Sequence, residues 1–148
     1  MDISNKGLKL IQEFEGLKLT AYQDVIGIWT IGYGNTFYLD GNIVKKGDKV
    51  TKAQAEALLK ATIKEFETKV ESLVKAKLNQ NQFDALVSFT YNVGPANLKK
   101  STLLKKVNIN PNDESIAQEF IKWNKAGGQV VDGLTRRRQA ESDLYFSK

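Results

Sequence analysis

Two carboxylic residues and a hydroxyl residue near the start of the chain have types and spacing that could serve sugar chemistry. Asp24 follows Glu15 by nine residues, and Thr30 comes shortly after, in a segment that contains several aromatic residues. A glycosidase needs one acid to protonate the leaving oxygen and a second carboxylate across the bond that breaks. A threonine hydroxyl can hold a water molecule because it both donates and accepts hydrogen bonds. Taken alone, an aspartate near a turn and a threonine in a strand are more often structural, so residue types leave both interpretations open.

The position of Glu15 depends on the first predicted helix. Ser4 is a suitable N-cap, and the helix is predicted to end at Glu15 because Gly16 is a helix stop. Each helical residue advances by about 100°, so Leu8 and Glu15 lie about 20° apart and Glu15 falls on the apolar stripe. Apolar surroundings and the negative end of the helix both favour the protonated carboxyl that a general acid needs. A glutamate that pairs with a lysine fits the same position equally well.

The remaining patterns predict a mixed α+β fold. Aromatic and β-branched residues between Leu17 and Val44 are separated by glycines, which predicts a small antiparallel sheet. Thr51 and Gln54 form a capping box that opens the longest helix. Further helices are predicted to start at Asn79 with Gln82 as its cap partner and to end at Gly94-Pro95, and then to lie at about 103–107, 116–123 and from 133 to about 145.

These elements predict a single domain over residues 1–148. A β-rich lobe over about 16–50 is expected to be joined by a helix over about 52–77 to a mainly helical lobe over about 79–148, on which the N-terminal helix 4–15 packs. A groove between two such lobes suits an extended polymer.

The composition narrows the chemistry. The chain has 22 lysines and arginines against 17 aspartates and glutamates, a formal net charge of +5, and neither cysteine nor histidine. Thiol nucleophiles, Ser-His and Cys-His triads and histidine-bearing zinc sites are therefore excluded. Carboxylates, lysine and tyrosine remain for acid–base chemistry. The positive charge favours an anionic partner such as a wall polymer, whereas mere solubility explains a charge of this size equally well.

A longer motif contains the same three residues. The stretch from Glu15 to Asp24 (EGLKLTAYQD), followed by residues 27–36 (GIWTIGYGNT), closely resembles the signature of the phage-type lysozymes, glycoside hydrolase family 24. The resemblance continues at 89–94, 101–104 and 120–138 and so covers nearly the whole chain. It implies a lysozyme-like fold and hydrolysis of the β-1,4 bond between N-acetylmuramic acid and N-acetylglucosamine in peptidoglycan, which lyses bacterial cells.

The resemblance also implies roles for single residues. Glu15 corresponds to the general acid, and Asp24 and Thr30 correspond to the pair that holds the attacking water in an inverting hydrolysis. The residues at positions that contact sugar or peptide in the family are Thr36, Tyr91, Ser101 and Thr102.

An arginine near the C-terminus pairs with the catalytic glutamate in the family. The spacing of Arg137 and Glu141 with two leucines predicts that both face inward or towards a groove. We therefore expect Arg137 to support the acid, with its neighbours at 136 and 138 as alternatives. The family usually has a histidine after Gly-Tyr-Gly, where this chain has Asn35, so an ion pair made there in relatives would be absent. Trp123 is predicted to belong to the core rather than to a sugar site.

We expect peptidoglycan as the partner, no nucleic acid, no stable membrane insertion, a monomer, and neither metal nor cofactor. The N-terminal residues contain no apolar run of signal-peptide or membrane-span length, which predicts a protein that folds in the cytoplasm of a bacterial host and acts on the wall after release. Two other functions stay open. A wall-binding module would use the same aromatic residues and charge without needing a buried acid, and a lytic transglycosylase would break the same bond without a water-holding pair.

Overall fold

The computed structural model of the chain describes residues 1–148 and contains seven helices and four short strands. The elements in chain order are α1 (Asn5–Glu15), β1 (Lys18–Gln23), β2 (Trp29–Gly32), α2 (Lys52–Leu73), α3 (Gln80–Val93), α4 (Pro95–Lys100), α5 (Thr102–Ile109), α6 (Ile116–Ile121), β3 (Lys125–Ala126), β4 (Gln129–Val130) and α7 (Asp132–Tyr145). None of the helices combines the length and the apolar character needed to cross a bilayer.

The chain divides into two compact units. Residues Ile11–Glu65 form one, which we call the β unit, and Met1–Leu10 with Phe66–Lys148 form the other, which we call the helical unit. The divisions fall within α1 and α2, so each of these helices contributes residues to both units.

The β unit is built on a two-stranded ribbon. Strands β1 and β2 are antiparallel, with Lys18 opposite Gly32 and Tyr22 opposite Thr30, and the register shifts between these two pairs. β1 is exposed along most of its length, whereas β2 is buried except for half-buried Trp29. The buried apolar residues of the unit are Ile11, Ile31, Tyr33, Val44, Ala55, Leu58, Leu59 and Ile63. The ribbon predicted from the glycine-punctuated sequence is confirmed.

The helical unit is organised around α3, whose residues 82–90 are all buried. Aromatic rings pack edge to face around Phe89, with ring-centroid distances of 5.6 Å to Phe120 and 5.7 Å to Trp123. Such pairs stabilise a core beyond the area that they bury. The predicted place of Trp123 against the core is confirmed, although its side chain is only half-buried.

Capping boxes stabilise the starts of α2 and α3. Thr51 and Gln54 make both reciprocal bonds of a capping box, Gln54 N to Thr51 Oγ1 at 3.1 Å and Thr51 N to Gln54 Oε1 at 2.8 Å. Asn79 and Gln82 make the same pair of bonds at the start of α3. These bonds satisfy backbone N–H groups that the first helical turn leaves without partners.

The end of α2 differs from the prediction, because the helix stops at Leu73 and not near residue 77. The side chain of Asn108 decides this. Its Oδ1 accepts from Lys75 N at 2.7 Å and its Nδ2 donates to the carbonyl of Leu73 at 3.2 Å. The last turn is therefore capped by a residue far along the chain, which helical periodicity cannot reveal.

Helix α4 and the hairpin of β3 and β4 were not predicted from the sequence. Helix α4 begins directly after Gly94 with Pro95 in its first turn, where the missing proline N–H costs nothing. Strands β3 and β4 form a hairpin in which Lys125 pairs with Val130 and Ala126 with Gln129. Its two-residue turn, 127–128, has positive φ at both glycines, +59° and +80°, as a type I′ turn requires.

Candidate active site

Glu15 is the last residue of α1 and its side chain is half-buried. Gly34, in the turn after β2, lies close to this carboxylate. A Cβ built on Gly34 would lie 3.4 Å from Oε1 of Glu15, and Gly34 has a φ of +94°. An alanine methyl at this position would therefore be in van der Waals contact with the carboxylate.

Asp24 holds the turn between β1 and β2. Its Oδ1 accepts hydrogen bonds from the backbone N–H groups of Ile26 and Ile28, each at 2.9 Å. Its own backbone N–H donates to the carbonyl of Ile28 at 2.9 Å, and Gly27 N donates to the carbonyl of Asp24 at 3.0 Å. All side-chain hydrogen bonds of Asp24 are made through Oδ1, so Oδ2 is available to a further donor.

Thr30 lies on β2, opposite Tyr22 of β1, and is only 5% exposed. Its hydroxyl donates to the carbonyl of Ile28 at 2.9 Å. Because the hydroxyl hydrogen is engaged there, the oxygen lone pairs of Thr30 can accept a bond from a water molecule.

The peptide groups of Ile28 thus orient both polar residues of the predicted pair. Its N–H binds Asp24 Oδ1, and its carbonyl accepts from Asp24 N and from Thr30 Oγ1. Backbone donors and acceptors hold a carboxylate and a hydroxyl in fixed directions at little cost in side-chain entropy. The β unit therefore contains an acid at a helix end and a preoriented carboxylate–hydroxyl pair in one ribbon.

The two residues that follow Gly34 have different surroundings. Asn35 is 6% exposed, and its Nδ2 donates to Oγ1 of Thr62 at 2.8 Å, while its Oδ1 is buried without a hydrogen bond. A neutral hydrogen bond therefore occupies this position, which carries no ion pair. Thr36 is half-buried, and its carbonyl accepts from Val44 N at 3.0 Å. Its contact with substrate stays a prediction.

The other three predicted substrate contacts lie in the helical unit. Tyr91, on α3, packs edge to face against Phe66 with ring centroids 5.1 Å apart. Ser101 is buried and caps α5, because its Oγ accepts from Leu104 N at 3.0 Å and donates to the carbonyl of Leu98 at 2.7 Å. Thr102 is exposed at the first position of α5. Ser101 therefore has a structural function in addition to the predicted contact, which stays a prediction.

The arginine run near the C-terminus contains a buried charge network. Arg137 and Glu141 are both buried, as their helical spacing predicted, and Nε of Arg137 lies 3.2 Å from Oε2 of Glu141. Arg138 is buried as well, with Nε 2.7 Å from Oε1 of the same glutamate. Burial raises the pKa of Glu141, and the charges of the two guanidinium groups act in the opposite direction. Support of Glu15 by Arg137 stays a prediction.

Sequence reasoning missed two features of this site. The close approach of Gly34 to the acid is one, although a glycine between an aromatic residue and a polar residue in the motif is a signal for a special backbone conformation. The other is Ile28, which acts through its backbone, so that its residue type contains no information about this function. Arg138 was considered only as an alternative to Arg137, because burial of two adjacent helical residues does not follow from helical spacing.

Comparisons with known proteins identify the family and the fold of the chain. A family model described as phage lysozyme matches residues 12–141. The chain is 44% identical to an endolysin of Bacillus phage B103, over 99% of this chain and 55% of that protein, and 45% identical to an endolysin of Acyrthosiphon pisum secondary endosymbiont phage 1, over 99% of both. It therefore spans about half the length of the first relative and nearly all of the second. Among solved structures, an endolysin from Escherichia coli O157:H7 phage FAHEc1 superposes with a TM-score of 0.91 at 43% identity, over 99% of this chain and 94% of that one.

Proposed function

The chain belongs to the phage lysozyme family, a family of peptidoglycan hydrolases of the muramidase type, and we propose that it cleaves the β-1,4 bond between N-acetylmuramic acid and N-acetylglucosamine with inversion at the anomeric carbon. Glu15, Asp24 and Thr30 are the residues proposed to do so. Cleavage of this bond in the wall would lyse the bacterial cell.

The observation that carries the proposal is the arrangement of Asp24 and Thr30 around Ile28. Oδ1 of Asp24 is occupied by two backbone N–H groups, and the hydroxyl hydrogen of Thr30 is occupied by the Ile28 carbonyl. The acceptors that remain are Oδ2 of Asp24 and the lone pairs of Thr30 Oγ1. A water molecule has two hydrogens to donate, so a pair of acceptors can orient its oxygen for attack.

The proposed reaction is a single displacement. The water oxygen bonds to C1 of the muramic acid residue while the bond from C1 to the leaving oxygen breaks. Glu15 gives its proton to that leaving oxygen, and Asp24 takes a proton from the water. Glu15 ends as the carboxylate and Asp24 as the acid, so both must exchange protons with solvent before the next cycle.

Two features support a hydrolase over the alternatives. A lytic transglycosylase forms an anhydro product through an internal hydroxyl and has no use for an oriented pair of water acceptors. A wall-binding module has no use for an acid at a helix end against which Gly34 packs. The net charge of +5 would assist approach to an anionic wall. We further propose that the protein acts as a monomer, without nucleic acid, and that it reaches the wall from the cytoplasm of its host after release.

Analysis of the products tests the proposal. Purified peptidoglycan is digested, the released fragments are weighed by mass spectrometry, and the anomer formed first is identified by NMR. Hydrated muramic acid reducing ends in the α configuration are expected. Anhydro ends would mean a transglycosylase, and a β anomer formed first would mean that a carboxylate acts as a nucleophile.

A further inference from the structure

Two apolar side chains on the β1–β2 turn project fully into solvent. Val25 is 102% exposed and Ile26 is 76% exposed, and Ile28 at the far side of the turn is 45% exposed. Single exposed apolar residues are common on protein surfaces. Two in succession at a turn are unusual, because turn positions favour glycine, proline, asparagine, aspartate and serine.

The turn that presents these side chains is held in place. Asp24 Oδ1 binds Ile26 N and Ile28 N, Gly27 N binds the Asp24 carbonyl, and Gln23 Nε2 donates to the carbonyl of Gly27 at 3.2 Å. Exposure of Val25 and Ile26 is therefore a fixed property of the turn. The same backbone N–H groups orient the carboxylate proposed to act on water, so the apolar surface is continuous with Asp24.

The chemistry of the substrate identifies what this surface could contact. On the proposed function, which this inference requires, the water held by Asp24 and Thr30 attacks C1 of the muramic acid residue, so that sugar lies next to the turn. Muramic acid differs from the neighbouring glucosamine by a lactyl group on O3, to which the first alanine of the stem peptide is attached. Both groups end in methyl carbons that gain free energy when they are withdrawn from water.

We propose that Val25 and Ile26 form a specificity surface for the lactyl–alanyl substituent of muramic acid. The surface recognises the base of the stem peptide through apolar contact and makes no polar contact with the glycan backbone. It would favour peptide-bearing glycan over glycan from which the peptide has been removed.

Two threonine substitutions test the surface without disturbing the turn. Val25→Thr and Ile26→Thr keep the branched Cβ and the backbone donors to Asp24. They replace the methyl branch of Val25 and the ethyl branch of Ile26 with a hydroxyl. Ile109→Thr, at the end of α5 and 85% exposed, is the matched control for loss of an exposed apolar group. The measured quantity is the ratio of kcat/KM on soluble peptide-bearing glycan strands to kcat/KM on the same strands treated with an amidase that removes the peptide.

A ratio above one is expected for the wild-type protein and for Ile109→Thr. Each threonine variant of the turn should lower that ratio about three- to fourfold, the effect of withdrawing roughly one buried methyl group from a contact, and the double variant should lower it further. An unchanged ratio in the double variant, or a wild-type ratio of one, would overturn the inference. A second result would also overturn it. If wild-type protein sediments with phosphatidylglycerol vesicles, and the double variant no longer does so but keeps the wild-type ratio of kcat/KM values, the turn is a membrane contact.

The proposed function can fail separately from this inference. If wild-type protein releases no hydrated muramic acid ends from either substrate, the proposed function itself is wrong. If it releases them and the ratio does not respond to Val25 or Ile26, only the specificity surface is wrong.

Discussion

Gly34 lies against Glu15, because a Cβ placed on Gly34 would be 3.4 Å from Oε1 of the carboxylate. The acid proposed to protonate the leaving oxygen is therefore bounded on one side by backbone. A glycine at this point has two functions, since its φ of +94° disfavours other residues and its missing side chain leaves room beside the acid.

Gly34→Ala is expected to lower both stability and activity. The backbone strain should reduce the free energy of unfolding by about 1–3 kcal/mol. The backbone shift that relieves this strain lies next to Oε1 and should lower kcat at least about tenfold, since small displacements of a catalytic group are costly. Gly41→Ala is the matched control, with a φ of +86° and no atom within 4 Å of the added Cβ. Thermal unfolding and wall hydrolysis are measured for both variants. Equal activities of the two variants would mean that Gly34 contributes backbone conformation only.

Glu15→Gln should abolish lysis and leave the fold intact. The amide keeps the shape of the side chain but cannot give a proton to the leaving oxygen, a contribution on the order of 10²–10⁴-fold. Glu13→Gln, on the exposed side of the same helix, serves as the control for loss of a negative charge. Turbidity of permeabilised cells and circular dichroism melting are the measurements. A folded Glu15→Gln variant with near-normal lysis would remove Glu15 from the reaction.

Thr30→Val should slow turnover with a small loss of stability. The variant loses the hydroxyl proposed to accept from water. It also loses the bond from Oγ1 to the Ile28 carbonyl, which is worth about 1 kcal/mol. We expect kcat to fall at least about tenfold. Thr20→Val, an exposed residue of the same ribbon, is the control. Steady-state rates on soluble glycan decide the point, and equal rates for the two variants would assign Thr30 to the structure of the ribbon alone.

A histidine–aspartate pair in place of Asn35 and Thr62 should make stability depend on pH near neutrality. These side chains form a neutral hydrogen bond of 2.8 Å in the β unit, so the pair itself adds no pH dependence to stability near neutrality. In the double variant Asn35→His/Thr62→Asp, the aspartate should raise the pKa of the histidine above its ordinary value of about 6.5. The added stability is on the order of 1 kcal/mol per unit of pKa shift. It is fully present below the ordinary histidine pKa and is lost as pH rises through the raised pKa. Denaturant unfolding from pH 5 to 9 measures it, with Asn35→His alone as control.

Tyr38 and Asp48 should make stability depend on pH at both extremes. The Tyr38 hydroxyl donates to Oδ2 of Asp48 at 2.7 Å, and burial followed by this bond raises the pKa of Tyr38 to about 12. The same bond, with the N–H of Lys45, lowers the pKa of Asp48 below its ordinary 3.8.

The contributions of Tyr38 and Asp48 to stability are lost at opposite ends of the pH range. The folded state prefers neutral tyrosine, so this contribution is complete below pH 10 and is lost as pH rises towards about 12. It also prefers ionised aspartate, so that contribution is complete above the ordinary pKa and is lost as pH falls through the lowered value. The difference in Tm between wild type and Tyr38→Phe should therefore be largest at neutral pH and shrink in both acid and alkali. A constant difference across this range would contradict the assignment.

Residues close in sequence account for most of what could be predicted without coordinates. Glu15 ends a helix because Gly16 follows it, and the capping boxes at Thr51 and Asn79 depend on partners three residues away. Asp24 and Thr30 lie on the two sides of one short turn. Interactions of this kind are decided within about one helical turn or one hairpin, and residue types reveal them.

Only the tertiary structure decided which atoms these residues use and which distant groups they meet. Asn108 ends α2 from 35 residues away, and the hydroxyl of Ser101 caps α5. Arg138 becomes fully buried beside Glu141, although neighbouring residues of a helix point in directions about 100° apart. Each outcome depends on how whole surfaces pack, because a buried polar group must find its partner wherever the fold brings one within hydrogen-bonding distance.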